Sequence, residues 1–165
     1  MAAYEPPVIT LRPVTAQDRE FLLQAYAAGR EFELSLVPWD EAMKRAFVEH
    51  QFDAQNAHYQ QEMPGSTHEI IVIDNEPGGR IYLHRTPTEI AILDLVVLPR
   101  FRKQGVATRL ISDLQAEAAR EGKSIRIFIE NFNSAASLLQ KLGFTVTSDD
   151  GVNRRYEWVR NKETY

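Results

Sequence analysis

The sequence predicts an α/β protein: an α+β mixed sheet of about seven strands with helices on both faces. Three observations predict it. Leu93 to Gly122 reads as an apolar strand, a basic turn with one glycine, and an amphipathic helix. A strand follows at Ser124 to Glu130, and a strand–helix–strand run of this length implies a parallel, right-handed crossover. The apolar strand of this run is also the third of a meander, after two strand-like segments separated by turns.

In chain order, Val8 to Arg12 is a short strand ended by Pro13. Thr15 can cap a helix, with Asp18 three residues on in the acidic place of a capping box. Phe21, Leu22, Ala25 and Tyr26 give that helix a 3.6-residue stripe, and Gly29 weakens it near Arg30. A second helical segment starts near Pro38 and Asp40 and stops at Pro64-Gly65. Trp39, Met43, Phe47, Ala54 and Ala57 are its expected apolar side. Phe52 and Tyr59 fall off that stripe, so a kink or two helices are open.

Glu69 to Asp74 is a buried strand, Asn75 to Gly79 a turn rich in Pro and Gly, and Arg80 to Arg85 the returning strand. After Thr86-Pro87-Thr88 comes the most apolar strand, Glu89 to Leu98, ended by Pro99. The helix from Gln104 to Glu121 carries Val106, Ala107, Leu110, Ile111, Leu114 and Ala118 on one face, with Gly122 as its C′ glycine. Ser134 to Leu142 is a short helix, with Gly143 again as C′. Strands at Phe144 to Thr147 and Arg154 to Val159 flank the turn Asp149-Asp150-Gly151. No internal repeat or linker interrupts the chain, so residues 1–165 read as one domain.

Composition narrows the function. Of the 165 residues, 44% are apolar and 25% charged, which suits a globular protein with a real core. A formal charge of -4 argues against a general nucleic-acid binder. The chain has no cysteine, which excludes disulfides, thiolate metal sites and a cysteine nucleophile and fits a cytoplasmic protein. The N-terminus lacks the pattern of a secretory signal, and no apolar run approaches the ~18 residues of a membrane span.

The turn at Arg102-Lys103-Gln104-Gly105 sits where a helix N-terminus leaves backbone N–H groups unpaired. Those groups, the helix dipole and the two cations suit an anion such as a pyrophosphate. Gly105 allows close backbone approach, N–H groups from Gln104 to Thr108 can donate, and the Thr108 hydroxyl can add to them.

Arg102-x-x-Gly105-x-Ala107, preceded by Leu95-x-Val97-x-Pro99 and followed by Asn133-Ser134-Ala135 and Gly143-Phe144, resembles the GNAT (Gcn5-related) N-acetyltransferase superfamily. The resemblance is specific over Leu95 to Phe144 and only topological before it. It implies the acyl-CoA N-acyltransferase fold, with the sheet splayed between the strand at 89–98 and the strand at 124–130. It also implies acetyl-CoA as co-substrate. Arg102, Lys103, Gln104, Gly105, Val106, Ala107 and Thr108 would hold the pyrophosphate. Leu95, Val96 and Val97 would pair with the pantetheine arm, joined by Asn133, which can equally be a plain helix N-cap. One freed N–H near that strand would polarise the thioester carbonyl.

Where the family carries a tyrosine acid, this chain has Leu139, so that proton donor cannot be transferred to it. A thiolate with a thiol pKa near ~8.5 is a tolerable leaving group without one.

The acceptor amine must be neutral to attack, and Asp94, Glu89 and His84 are the candidate bases. Asp94 is a lone charge in an apolar strand, which calls for a partner or a task, and a structural ion pair competes with catalysis there. Glu89 and His84 read equally as exposed strand-end residues. The family places the acceptor near the first two helices, where Glu31, Glu33 and Trp39, with Asp40 and Glu41, would suit a cation; a solvated acidic helix end is the competing reading. His50 and His58 lie eight apart, and no metal site is expected.

The expected function is therefore direct acetyl transfer from acetyl-CoA to a primary amine of a small molecule or peptide. Neither nucleic acid nor membrane is an expected partner, and a homodimer is left open. A non-catalytic acyl-CoA-binding or sensing domain is the alternative, and Leu139 sustains it. A protein-interaction module that has lost the ligand is the third reading, against which Gly105 and Asn133 argue.

Overall fold

Two residues at a hairpin tip set one part of the sheet. Asp74 and Asn75 both take left-handed backbone, with φ of 47° and 68°. Positive φ at both central positions is the two-residue turn whose twist matches a β-hairpin. In the computed structural model, which describes residues 3–130 and 135–160, β2 (Thr67–Ile73) therefore turns directly into β3 (Glu76–Arg85). The turn predicted over Asn75 to Gly79 is shorter than expected, and Gly78 and Gly79 lie buried inside β3. A β-carbon on Gly79 would come 2.1 Å from the Val96 carbonyl oxygen. This glycine serves close strand approach, not turning.

The other strands are β1 (Ile9–Pro13), β4 (Glu89–Val97), β5 (Ser124–Glu130), β6 (Thr145–Asp149) and β7 (Asn153–Trp158). One seven-stranded mixed sheet results, in the order β1-β2-β3-β4-β5-β7-β6. β1 pairs antiparallel with β2, β4 parallel with β5, and β7 antiparallel with both β5 and β6. The chain divides into two compact units, Met1–Tyr82 with Asp94–Val106, and Leu83–Leu93 with Ala107–Tyr165.

In the first unit, α1 (Arg19–Gly29) follows a short 3-10 turn at Ala16–Asp18. The Thr15 N–H donates to Asp18 Oδ2 at 2.8 Å, and Arg12 donates to both Asp18 oxygens at 2.8 and 2.9 Å. α1 ends at Gly29, and a further short helix absent from the sequence reading, α2 (Glu31–Ser35), follows it. α3 (Glu41–Glu62) is capped by Asp40, whose Oδ1 accepts from the Met43 N–H at 2.8 Å.

α3 runs unbroken for 22 residues, and its inward face is not the one the sequence suggests. Val48 and Phe52 are buried, whereas Met43, Ala54 and Ala57 are exposed. Gln55 and Tyr59 continue the inner stripe at i+7 and i+11 from Val48, half-buried. Val48 and Phe52 pack with Leu22, Leu23, Tyr26 and Ile70 in the core of this unit. A polar Gln55 in that stripe hides it from a purely apolar count; its amide has a buried partner, described below.

In the second unit, nearly all of α4 (Val106–Glu121) and α5 (Ala135–Lys141) accompany β5, β6 and β7. Gly122 ends α4 with φ 67°, and the Lys123 N–H donates to the Ala118 carbonyl at 2.8 Å. Gln115 Nε2 donates to the Leu142 carbonyl at 2.7 Å, tying α4 to the end of α5. The parallel ladder between β4 and β5 has four pairs, from Glu89–Ser124 to Ile92–Ile127. β5 continues beyond it on β7 as far as Glu130–Asn153. No helix among the described residues is long and apolar enough to cross a membrane.

Candidate active site

The end of β4 leads into the basic turn. Leu98 is buried, and its N–H donates to the Gly78 carbonyl at 2.8 Å. Pro99–Phe101 form one 3-10 turn, Arg102 is extended, and Lys103 and Gly105 take left-handed backbone at φ 63° and 79°. Val106 then begins α4. Left-handed residues in a turn make backbone concavities lined by N–H groups, and a helix start adds its own unpaired donors. A β-carbon at Gly105 would meet nothing within 4 Å, so the glycine is there for its backbone. This geometry fits a phosphate-bearing group.

The two cations of the turn differ. Lys103 is exposed and makes no ion pair among the described residues. Arg102 is engaged: Nε donates to the Val97 carbonyl at 2.9 Å, Nη2 to the Ala28 carbonyl at 3.3 Å, and Nη1 lies 3.7 Å from Glu31. Its side chain ties the turn to the ends of β4 and α1.

Asp94 has the partner its position demands. Arg80, on β3, is fully buried. Its Nε donates to Asp94 Oδ2 at 2.7 Å, and its Nη2 pairs with the same oxygen. Nη2 also donates to Gln55 Oε1, and Nη1 lies 3.4 Å from His68 Nε2. The guanidinium sits over the Phe52 and Tyr26 rings at 5.2 and 5.9 Å. Asp94 Oδ1 takes no hydrogen bond from the described residues, and the side chain is 22% exposed.

The neighbours of the pair titrate abnormally. His68 stacks on Tyr82 at 4.4 Å and is pushed down to about 4, first by burial and then by the Arg80 charge. Tyr59, 4.9 Å from Tyr82, is pushed up to about 12, first by burial and then by the Asp94 carboxylate.

Glu89 forms an ion pair with Arg126 at 2.9 Å in the second unit, where His84 is half-buried on β3. Leu95, Val96 and Val97 end β4, half-buried, with the Val97 carbonyl accepting from Arg102. Gln104 is exposed and donates from Nε2 to the Arg100 carbonyl at 3.3 Å. Val106 is buried, Ala107 half-buried and Thr108 exposed. Glu31 is exposed, Glu33 pairs with Arg30 at 3.2 Å, and Trp39 packs on Phe47 at 5.3 Å. Leu139 is 1% exposed, a core residue. Asn133 lies outside the described residues. Among the described residues, no group of three or more His, Asp and Glu could hold a metal ion.

Sequence reasoning missed Arg80, Gln55, His68 and Tyr59. Asp94 carried the signal: an acid in an apolar strand needs a cation on a neighbouring one, and Arg80 opens the adjacent predicted strand.

The mixed sheet, the β4–turn–α4 segment and its left-handed glycine are features of the acetyltransferase (GNAT) domain fold. The chain belongs to the GNAT family: the model for the acetyltransferase (GNAT) domain matches residues 34–162. Solved structures share the fold. The PaiA N-acetyltransferase of Thermoplasma acidophilum, in complex with coenzyme A, is 17% identical with a TM-score of 0.71, over 93% of this chain and 99% of that one. An acetyltransferase from Thermus thermophilus is 15% identical with a TM-score of 0.67, over 92% and 97%. An acetyl transferase from Salmonella typhimurium that modifies the N-terminal serine of ribosomal protein L7/L12 is 16% identical with a TM-score of 0.61, over 93% and 95%. No curated protein matches.

Proposed function

We propose that the protein transfers an acetyl group from acetyl-CoA to a primary amine of a small molecule or peptide by direct attack. The left-handed turn at Lys103 and Gly105, between the end of β4 and the start of α4, carries this reading. Family membership supports it, as does a structural neighbour with coenzyme A bound. Arg102 to Thr108 would hold the pyrophosphate, through backbone N–H groups and the Lys103 charge, while the Arg102 side chain braces the turn. Leu95, Val96 and Val97 at the end of β4 would hold the pantetheine arm.

Acetyl-CoA supplies an acetyl thioester whose carbon accepts the amine and whose thiolate leaves. Asp94 takes the amine proton, directly or through a water, on its unpaired Oδ1. Glu89, held by Arg126 through Oε1 alone, is the competing base. With no cysteine in the chain, no thiol is present to carry the acetyl group. Glu31, Glu33 and Trp39 would face the acceptor. One neighbour acts on a protein N-terminus, which keeps peptides among the candidates.

Calorimetry with acetyl-CoA and CoA, then thiol release across primary amines, polyamines, amino acids and peptides, tests this. Micromolar binding and turnover with at least one amine is the expected result. Tight binding without turnover favours the acyl-CoA-sensing alternative, for which the buried Leu139 is the specific observation. No binding refutes both.

A further inference from the structure

We propose that Arg80 is a positioning residue for acetyl transfer: it fixes the Asp94 carboxylate with Oδ2 held inside and Oδ1 turned to the acceptor. This inference rests on the reading of Asp94 as the base.

Burying a guanidinium is expensive, and an apolar residue of similar size is often as good for stability. Arg80 is nevertheless fully buried on β3, with each terminal nitrogen and Nε given a polar partner. Gln55 comes from α3 and His68 from β2, while Phe52 and Tyr26 cover the guanidinium faces. Contacts from α1, α3 and β2 thus surround the guanidinium. It meets Asp94 through two of its nitrogens, both on Oδ2.

That asymmetry is informative. A carboxylate paired only for stability gains most from a fork-to-fork contact that uses both oxygens. Here one oxygen takes two donors and the other takes none, on a side chain with access to solvent. A base must present a lone pair within reach of the amine, and an error of about 1 Å in such placement can cost on the order of 10²-fold in rate. The Arg80 arrangement supplies that placement.

The test uses Asp94→Asn, Arg80→Lys and Arg80→Met in the full chain, assayed per folded molecule with acetyl-CoA. One acceptor is an alkylamine, protonated at pH 7, taken from the panel above. The other is hydroxylamine, already neutral there. Expected with the alkylamine is a fall in kcat of about 10²-fold for Arg80→Met and about ten-fold for Arg80→Lys. The KM for acetyl-CoA should stay unchanged, and hydroxylamine turnover should fall less than three-fold. A general structural defect would slow both acceptors alike, and that result overturns the proposal. Wild-type alkylamine rates in both Arg80 variants, with Asp94→Asn inactive, overturn the role of Arg80 and leave Asp94 as base. Wild-type rates in Asp94→Asn instead remove Asp94 from the mechanism, and this inference with it.

Where Arg80→Met does not fold, Gln55→Ala and Arg80→Lys decide, since Gln55 fixes Nη2. Where alkylamine turnover of Arg80→Lys is reduced, a crystal structure with the Asp94 carboxylate in its original orientation overturns the proposal, and a rotated carboxylate supports it.

Discussion

The Arg102 guanidinium donates from Nε to the Val97 carbonyl at 2.9 Å and from Nη2 to the Ala28 carbonyl at 3.3 Å. One side chain thus braces the turn after β4 against the end of α1. Charged donors to neutral carbonyls are worth about 1.5–3 kcal/mol when buried, and less at an exposed site such as this. Arg102→Met should therefore cost roughly 1 kcal/mol in urea unfolding. It should also weaken CoA by about ten-fold in calorimetry, because a loosened turn no longer holds its N–H groups in place. Arg102→Lys should recover little of either, since one ammonium cannot reach both carbonyls in the same geometry. Unchanged CoA affinity in both variants would leave the brace purely structural.

Two glycines separate space from backbone conformation. At Gly105 an added β-carbon meets nothing, so Gly105→Ala pays only for φ 79°, about 1–2 kcal/mol. At Gly79 the β-carbon would lie 2.1 Å from the Val96 carbonyl oxygen, so β3 and β4 must part. Gly79→Ala should fail to give soluble folded protein or lose well over ~3 kcal/mol. Gly105→Ala should fold with a modestly lowered Tm and reduced CoA affinity. Differential scanning calorimetry on both variants checks the ranking.

His68 predicts an acid-side instability. Its ordinary pKa is about 6.5, and in the fold it lies at about 4. As pH falls through this window, the unfolded chain takes up the proton first. The contribution of a neutral His68 is therefore complete above pH 6.5 and is lost progressively down to about pH 4. The loss should be roughly 2 kcal/mol, allowing for partial solvent access. Asp18, held at about 2 chiefly by its hydrogen bonds from Arg12, acts in a lower window: its contribution is lost as pH falls from 3.8 through 2. His68→Phe keeps an aromatic ring for Tyr82 and cannot titrate. Urea midpoints measured between pH 4 and 7 should flatten in this variant, and an unchanged slope would remove His68 as the cause.

Leu139→Tyr is the obvious way to restore a missing acid, and the structure predicts that it fails. Leu139 is 1% exposed, so a tyrosine there overpacks the core by a ring's volume. A cost of about 1–3 kcal/mol is expected, with no gain in the rate of thiol release. A faster enzyme of normal Tm would contradict this.

The elements and the family could be read from the chain alone. Among the described residues, periodicity two and 3.6 and the capping signals located each strand and four of the five helices, because these are local properties of the chain, although Pro13, read as a stop, pairs within β1. Arg102-x-x-Gly105-x-Ala107 was equally legible, since Gly105 needs a left-handed backbone whatever surrounds it. What side chains do once strands and helices meet was settled by packing. It turned α3 so that Val48, Phe52, Gln55 and Tyr59 face inward, and Met43, which looks equally apolar in sequence, faces out. It placed Gly78 and Gly79 inside a strand because Asp74 and Asn75 had already made the turn. Arg102 became a brace through a carbonyl on α1, seventy-four positions away. Asp94 could be singled out as a charge in need of a partner, but only packing of β3 against β4 could supply Arg80 and leave one carboxylate oxygen unpaired. Backbone preference is a local matter; the pairing of buried charges depends on contacts far apart in the chain.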